Sequence, residues 1–253
     1  MATMREKEQA LEAGLVQTVF RPCAEFLIDH AALGAGQRLL DVGCGSGIVS
    51  RVALEREPRL QAACGFDRAG AAVEVACMAA AAHPGKNKLA FWAGDAGQPR
   101  AYRGLWDVCT SQHVVQHAPG MLAVLRQALA PGGCAIIATW PEPSTRCSAY
   151  RFLHAAALEG NEAIGMPMEA LRQRAVDAGF SIVREVAAEI RTPRVCPAAF
   201  LRQYLEGKHL RPTNIDELVG GAHVDGLARQ NAAVIHPNGD MEFAIALHVV
   251  IAA

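Results

Sequence analysis

The stretch Leu39 to Gly47, LLDVGCGSG, joins an apolar strand to a helix through Gly43, Gly45 and Gly47. Glycine at such a turn lets the backbone bend sharply and approach a ligand closely. The helix that follows presents unpaired N–H groups in its first turn, ready to meet a polar ligand. The dinucleotide fingerprint G-x-G-x-x-G needs a third glycine at residue 48, which is Ile48 here. The pattern present, G-x-G-x-G preceded by Asp41, therefore turns the reading away from a nicotinamide dinucleotide. A tight strand–helix turn with no ligand is the plain alternative. Asp67 ends the next apolar strand. A carboxylate there can accept from both hydroxyls of a ribose, or cap the helix after it.

His113 and His117 stand four apart, so a helical turn would place both on one face. An unperturbed imidazole titrates near neutral pH, which makes each a candidate general base. A partly buried structural histidine is an equal reading for each. The spacing also invites a metal pair, but neither HExxH nor a third ligand stands nearby, so no metal is expected.

These residues need a scaffold, and the surrounding pattern supplies one. Short apolar runs at Arg38–Val42, Ala62–Phe66, Leu89–Ala93, Trp106–Thr110 and Cys134–Trp140 read as strands. Ser46–Leu54, Ala71–Ala82 and Leu122–Leu129 between them read as helices, the last stopped by Pro131-Gly132-Gly133. Alternation of this kind implies a mostly parallel sheet with helices on both faces. Residues 3–34 carry helical apolar spacing, and Pro22 predicts two short helices there instead of one. Residues 141–240 read as mostly helical around one strand, Ser181–Ile190, and Glu242–Ile251 reads as a buried last strand. No linker divides the chain, so 1–253 is expected to form a single α/β domain. Its parts are N-terminal helices (1–36), a ligand-binding core (37–140), a lid or pocket region (141–240) and a last strand (241–253).

With five motifs in order over residues 38–140, the chain resembles the class I S-adenosylmethionine (SAM)-dependent methyltransferases. Leu39–Gly47 matches their first motif, and Leu129-Ala130-Pro131-Gly132-Gly133 their turn before the fifth strand. The resemblance implies a Rossmann-like, three-layer fold with a seven-stranded, mostly parallel sheet and an antiparallel last strand. It also implies SAM as cofactor and S-adenosylhomocysteine (SAH) as product. It assigns Asp41, Gly43, Cys44, Gly45 and Gly47 to the cofactor turn and Asp67 to the ribose, with Arg68 also among the cofactor-binding residues. Asp95 and Ala96 would meet the adenine, although an Asx turn alone accounts for Gly94-Asp95-Ala96. Ser111 and Gln112 would lie under the methionine part, and the Phe20 region would fold over the cofactor.

The fourth strand lacks the Asn/Asp-Pro-Pro-aromatic motif of enzymes that methylate exocyclic amines; Ser111-Gln112-His113-Val114 stands there. The chain is instead similar to small-molecule methyltransferases of the ubiquinone/menaquinone-biosynthesis-like and natural-product groups, whose histidine at this place matches His117. Gly120 replaces their usual acid, which weakens the helix cap there. Trp140, Tyr150, Phe200 and Tyr204 are candidate walls of an apolar or aromatic acceptor pocket, although apolar residues at helical spacing usually pack inside. Lys208, His209 and Arg211 form a small basic cluster that reads as a solvated face or a contact for an acidic substrate group. Methyl transfer to a small molecule, with oxygen ahead of carbon or nitrogen, is the leading expectation. A SAM-fold protein that does not transfer methyl comes second, and a protein or RNA methyltransferase last.

Composition narrows the partners. The 253 residues carry a formal net charge of -1, far from the basic excess that general nucleic-acid binding requires. No apolar run approaches the roughly 18 residues of a membrane span. The N-terminus shows no signal-peptide pattern, and eight scattered cysteines without a CxxC pair fit free thiols in a reducing cytoplasm. Spacing says nothing on whether the chain is a monomer or a homodimer.

Overall fold

The computed structural model describes residues 3–95, 104–118, 120–141, 148–157, 165–207 and 222–253. Strands β1 (Arg38–Val42), β2 (Ala62–Asp67), β3 (Leu89–Ala93), β4 (Trp106–Gln112) and β5 (Leu129–Thr139) run parallel. Helices α3 (Ile48–Arg56), α4 (Gly70–Ala82) and α5 (Met121–Ala128) alternate with them. The sheet continues with β6 (Ile182–Arg191), β7 (Ala232–Ile235) and β8 (Met241–Ala252). Its order is β3-β2-β1-β4-β5-β8-β6, with β8 antiparallel to both β5 and β6. This is the Rossmann-like sheet with the reversed last strand.

Both faces of the sheet are covered, so consecutive strand residues enter opposite cores. Leu39, Ile136 and Val249 pack with α2 (Arg21–Asp29), α3, α6 (Ser148–Ala157) and α8 (Pro197–Gly207). Leu40, Ile137 and Val250 pack with α5 and α7 (Met168–Asp177) on the other side. The period of two and the continuous apolar runs follow from that burial. Among the described residues no helix is long and apolar enough to cross a membrane.

Four local expectations change. Pro22 does not separate two helices: α1 (Met4–Leu11), a π-helical segment Glu12–Phe20 and α2 follow without a break. Pro22 sits at the start of α2, and the wider π turn, in which Arg21 N–H donates to the Val16 carbonyl, relieves the clash that proline makes with the fourth carbonyl before it. Second, α5 ends at Ala128, and Pro131-Gly132-Gly133 lies inside β5, which starts early because Leu129 pairs with Trp106 across a bulge. Third, a helix α9 (Ala222–Asn231) leads into β7, an eighth strand in a stretch whose pattern predicts helix. The turn His236–Asp240 between β7 and β8 contains Asn238-Gly239, with Gly239 at φ 87°, the residue pair that favours tight hairpins. Fourth, His113 has φ 59°, so the helical turn starts only after Val114 and the shared-face argument for His113 and His117 does not hold.

Candidate active site

The strand order reverses between β1 and β4, and crevices at such a switch point hold ligands in open α/β sheets. Here two adjoining hollows of about 240 and 220 Å³ open there, sharing Gly43, Asp67, His113 and Val114. Gly43, Gly45 and Gly47 all have positive φ, at 75°, 52° and 78°, where a side chain would strain the backbone. Their surroundings divide their roles. A Cβ on Gly43 would meet Val114 at 2.4 Å and one on Gly47 would meet Phe91 at 2.5 Å, while one on Gly45 would project into open space. Gly47 thus serves packing and the entry to α3, and it lines neither hollow.

Asp67 locks the turn. One carboxylate oxygen accepts from Gly45 N–H at 2.9 Å and the other from Ala69 N–H at 2.8 Å. Lone pairs remain on both oxygens for a further donor in the hollow. Asp67 is therefore three residues ahead of the start of α4 and makes an Asx turn to Ala69, not a helix cap.

Asp41 lies beneath the turn. The parallel register sets Asp41 beside Thr110, whose hydroxyl donates to Asp41 Oδ1 at 2.9 Å. Asp41 Oδ2 is buried with no partner, on the wall of the larger hollow. Burial pushes its carboxyl up to about 7; the Thr110 hydrogen bond opposes this and the Asp67 charge adds to it. Gln112 donates to the Phe20 carbonyl at 3.0 Å, which ties β4 to the end of the π segment and leaves Gln112 Oε1 buried without a partner. Ser46 Oγ is similarly orphaned. Buried polar atoms left unpaired around a hollow are what a polar ligand would satisfy.

His113 stacks on Trp140 with ring centroids 3.7 Å apart and an interplanar angle of 8°, and Phe20 packs against both rings. Both ring nitrogens are buried and unpartnered. Desolvation, helped by nearby His117, pushes the His113 pKa down to about 3. A neutral imidazole of that kind is a poor proton acceptor at neutral pH. His117 is exposed at the rim of the smaller hollow, beside Arg68 and Asp95.

The remaining sequence candidates separate. Phe20, Asp41, Gly43, Cys44, Gly45, Asp67, Gln112 and His113 meet in the larger hollow, and Arg68 and Asp95 reach the smaller one. Ser111 reaches neither: it is fully buried and its hydroxyl donates to the Val42 carbonyl at 2.9 Å, so it ties β4 to β1. Phe200 and Tyr204 are core residues; Phe200 lies with Phe152 and Phe243 in an aromatic cluster, because α8 turns that face toward β8. Ala96, the Tyr150 side chain, Lys208, His209 and Arg211 lie outside what is described. Sequence reasoning missed Glu8, Leu11 and Val16, which reach the larger hollow from the N-terminal helices. Leu11 carried a signal in its helical apolar spacing; Glu8 carried none. Among the described residues no cluster of three or more His, Cys, Asp or Glu side chains is placed to hold a metal ion.

A doubly covered, mostly parallel sheet with a glycine turn and an acid at its switch point defines a nucleotide-cofactor-binding α/β protein. A family model described as "Methyltransferase domain" matches residues 15–185. The chain belongs to this family, with the class I SAM-dependent methyltransferase fold. A curated relative, malonyl-[acyl-carrier protein] O-methyltransferase of Serratia marcescens, is 34% identical over 122 residues. That stretch is 47% of this chain and 44% of the relative, so the match spans less than half the length of either. The YcgJ protein of Bacillus subtilis superposes with a TM-score of 0.59 at 15% identity, over 90% of this chain and 96% of that one. Geranyl diphosphate methyltransferase, solved with GPP and sinefungin, superposes at 0.52 and 16% identity, over 91% and 76%. At such identities the two structures show the shared fold alone.

Proposed function

We propose that the protein transfers the methyl group of SAM to a small, apolar or aromatic acceptor, with oxygen as the favoured acceptor atom. One observation carries the cofactor reading. The switch-point groove has a glycine turn whose middle residue faces open space, and an unpaired buried carboxylate, Asp41 Oδ2, lies on its wall. In this reading Asp67 accepts from the ribose, Arg68 and Asp95 flank the adenine end, and Asp41, Gly45 and Gln112 surround the methionine end. SAM supplies a sulfonium methyl that is already activated, so the protein's task is to orient the acceptor and exclude water.

Phe20 and His113, which line the larger hollow and are backed by the buried ring of Trp140, give it an aromatic side suited to an apolar acceptor. The oxygen preference is supported by the name of the Serratia relative. If the acceptor hydroxyl must lose its proton early, His117 at the rim is the better base, since His113 is held neutral and weakly basic. Calorimetric titration with SAM and with SAH, followed by an acceptor screen with methyl-labelled SAM, tests the reading. Binding of both and label transfer to a small hydroxylated compound are expected. Folded protein that binds neither overturns it.

A further inference from the structure

The larger hollow has an unusual charge. Three carboxylates line it, Glu8, Asp41 and Asp67, and no lysine or arginine does. Its histidine, His113, is buried and neutral. Arg51 on α3 is engaged elsewhere, in an ion pair with Glu12 whose side chains are 12% and 15% exposed. Glu8 is the carboxylate that the glycine motif does not account for. It projects from α1, which packs against α4 and α8 across the mouth of the groove. It is half-buried and, among the described residues, its carboxyl makes no hydrogen bond or ion pair. Burial and the facing Asp67 charge push its carboxyl up. Asp41 Oδ2, buried and unpartnered on the same wall, is the independent sign that the hollow awaits a ligand.

Like charges gathered around one hollow without a counter-charge favour a cationic occupant and disfavour a neutral one. We propose that Glu8 is a specificity-determining residue, completing a three-carboxylate wall that binds SAM in preference to SAH. The inference rests on the SAM reading above. SAM carries a sulfonium and an ammonium against one carboxylate. On transfer, the acceptor's electron pair forms the new bond to carbon, the S–C pair returns to sulfur, and the acceptor proton leaves to base or solvent. The product SAH has a neutral thioether and, with its ammonium set against its carboxylate, no net charge, so the wall has lost the sulfonium. The attraction between that wall and the sulfonium is then gone, so SAH is held less tightly than SAM and the charge consumed in the reaction favours product release.

The test is calorimetric titration of the full chain and its Glu8→Gln variant with SAM and SAH separately, at low salt. Glutamine keeps the shape and removes the charge. Glu8→Gln is expected to weaken SAM about tenfold and to change SAH by less than about twofold, so the preference for SAM shrinks. Glu8→Asp, which keeps the charge, should retain most of the preference. Equal weakening of both ligands, or no change in either, overturns the proposal while leaving the SAM reading intact. Binding of neither ligand by the wild-type protein overturns that reading and this inference together. Circular dichroism melts of both variants separate lost binding from lost fold, and an unfolded Glu8→Gln leaves the decision to the Glu8→Asp comparison, where a lost preference counts against the proposal.

Discussion

Asp41→Asn isolates the cost of keeping a carboxylate beneath the glycine turn. The ordinary carboxyl value is 3.8, and burial carries Asp41 to about 7. Between these values the folded protein holds a proton that the unfolded chain has lost, so stability falls as pH rises through the window and levels off above it. Three units at about 1.4 kcal/mol each give a cost of about 4 kcal/mol at pH 8, against somewhat under about 2 kcal/mol at pH 5. Asparagine removes this titration and keeps an oxygen to accept from Thr110. Its amide nitrogen takes the place of the unpartnered Oδ2, and an unsatisfied buried donor costs about 1–3 kcal/mol at either pH. The informative quantity is therefore the difference. Relative to wild type, Asp41→Asn should be about 2–3 kcal/mol more favourable at pH 8 than at pH 5. Urea denaturation of both proteins at the two pH values, without cofactor, measures it. A stability difference that does not move with pH refutes the reasoning, because it would mean that Asp41 ionises freely in the folded protein. SAM added at pH 8 should raise the midpoint of wild type more than that of the variant, since the variant lacks the charge that the hollow offers.

Asp67→Ala removes the acceptor for Gly45 and Ala69 and the proposed ribose partner, so SAM affinity should drop by about 1.5–3 kcal/mol per charge-assisted hydrogen bond lost, read by calorimetry. His117→Gln should slow turnover with a hydroxyl acceptor and leave SAM affinity unchanged. His113→Gln should leave any rate-limiting ionisation in the pH–rate profile where it was, because a group titrating near 3 does not set it. Phe200→Ala should cost about 3–5 kcal/mol of stability in denaturation while leaving the KM for the acceptor unchanged in protein that remains folded, as its place in the core implies.

The first half of the molecule is legible because its chemistry and its scaffold coincide. Strand ends, glycines and acids from Leu39 to Gln112 occupy the crevice that the sheet order creates, so motif spacing and geometry carry the same information. Ser111 shows the limit: it stands beside a site residue in sequence, but alternation along β4 turns it to the core while Gln112 faces the hollow. Phe200 and Tyr204 show another. Large aromatic side chains on a helix look alike whether they line a pocket or fill a core, and only tertiary packing decides, here the contact of Phe200 with Phe152 and Phe243. Glu8 was invisible for a different reason. Its role depends on α1 crossing the mouth of the groove, a contact between segments some 60 residues apart in sequence (Glu8 to Asp67) that no local pattern encodes.

Asp41 and His113 also explain one another. Each is buried in its uncharged direction, the carboxyl raised to about 7 and the imidazole lowered to about 3. Their effects on stability have opposite sign. For His113 the unfolded chain binds the extra proton below its ordinary 6.5, so stability is present above that value and is lost as pH falls toward 3. Between about pH 4 and 6.5 the two slopes oppose, and the folded protein changes little as both groups titrate in the unfolded chain. Removing Asp41 uncovers the His113 slope, so the same substitution that relieves strain at pH 8 should leave the protein more sensitive to acid. A hollow whose wall holds buried, unpartnered polar atoms on two such groups stores free energy that a ligand with complementary charge and hydrogen-bond donors can recover. That is why the orphaned oxygen of Asp41, more than the glycine turn above it, argues that the groove is a binding site and not a structural bend.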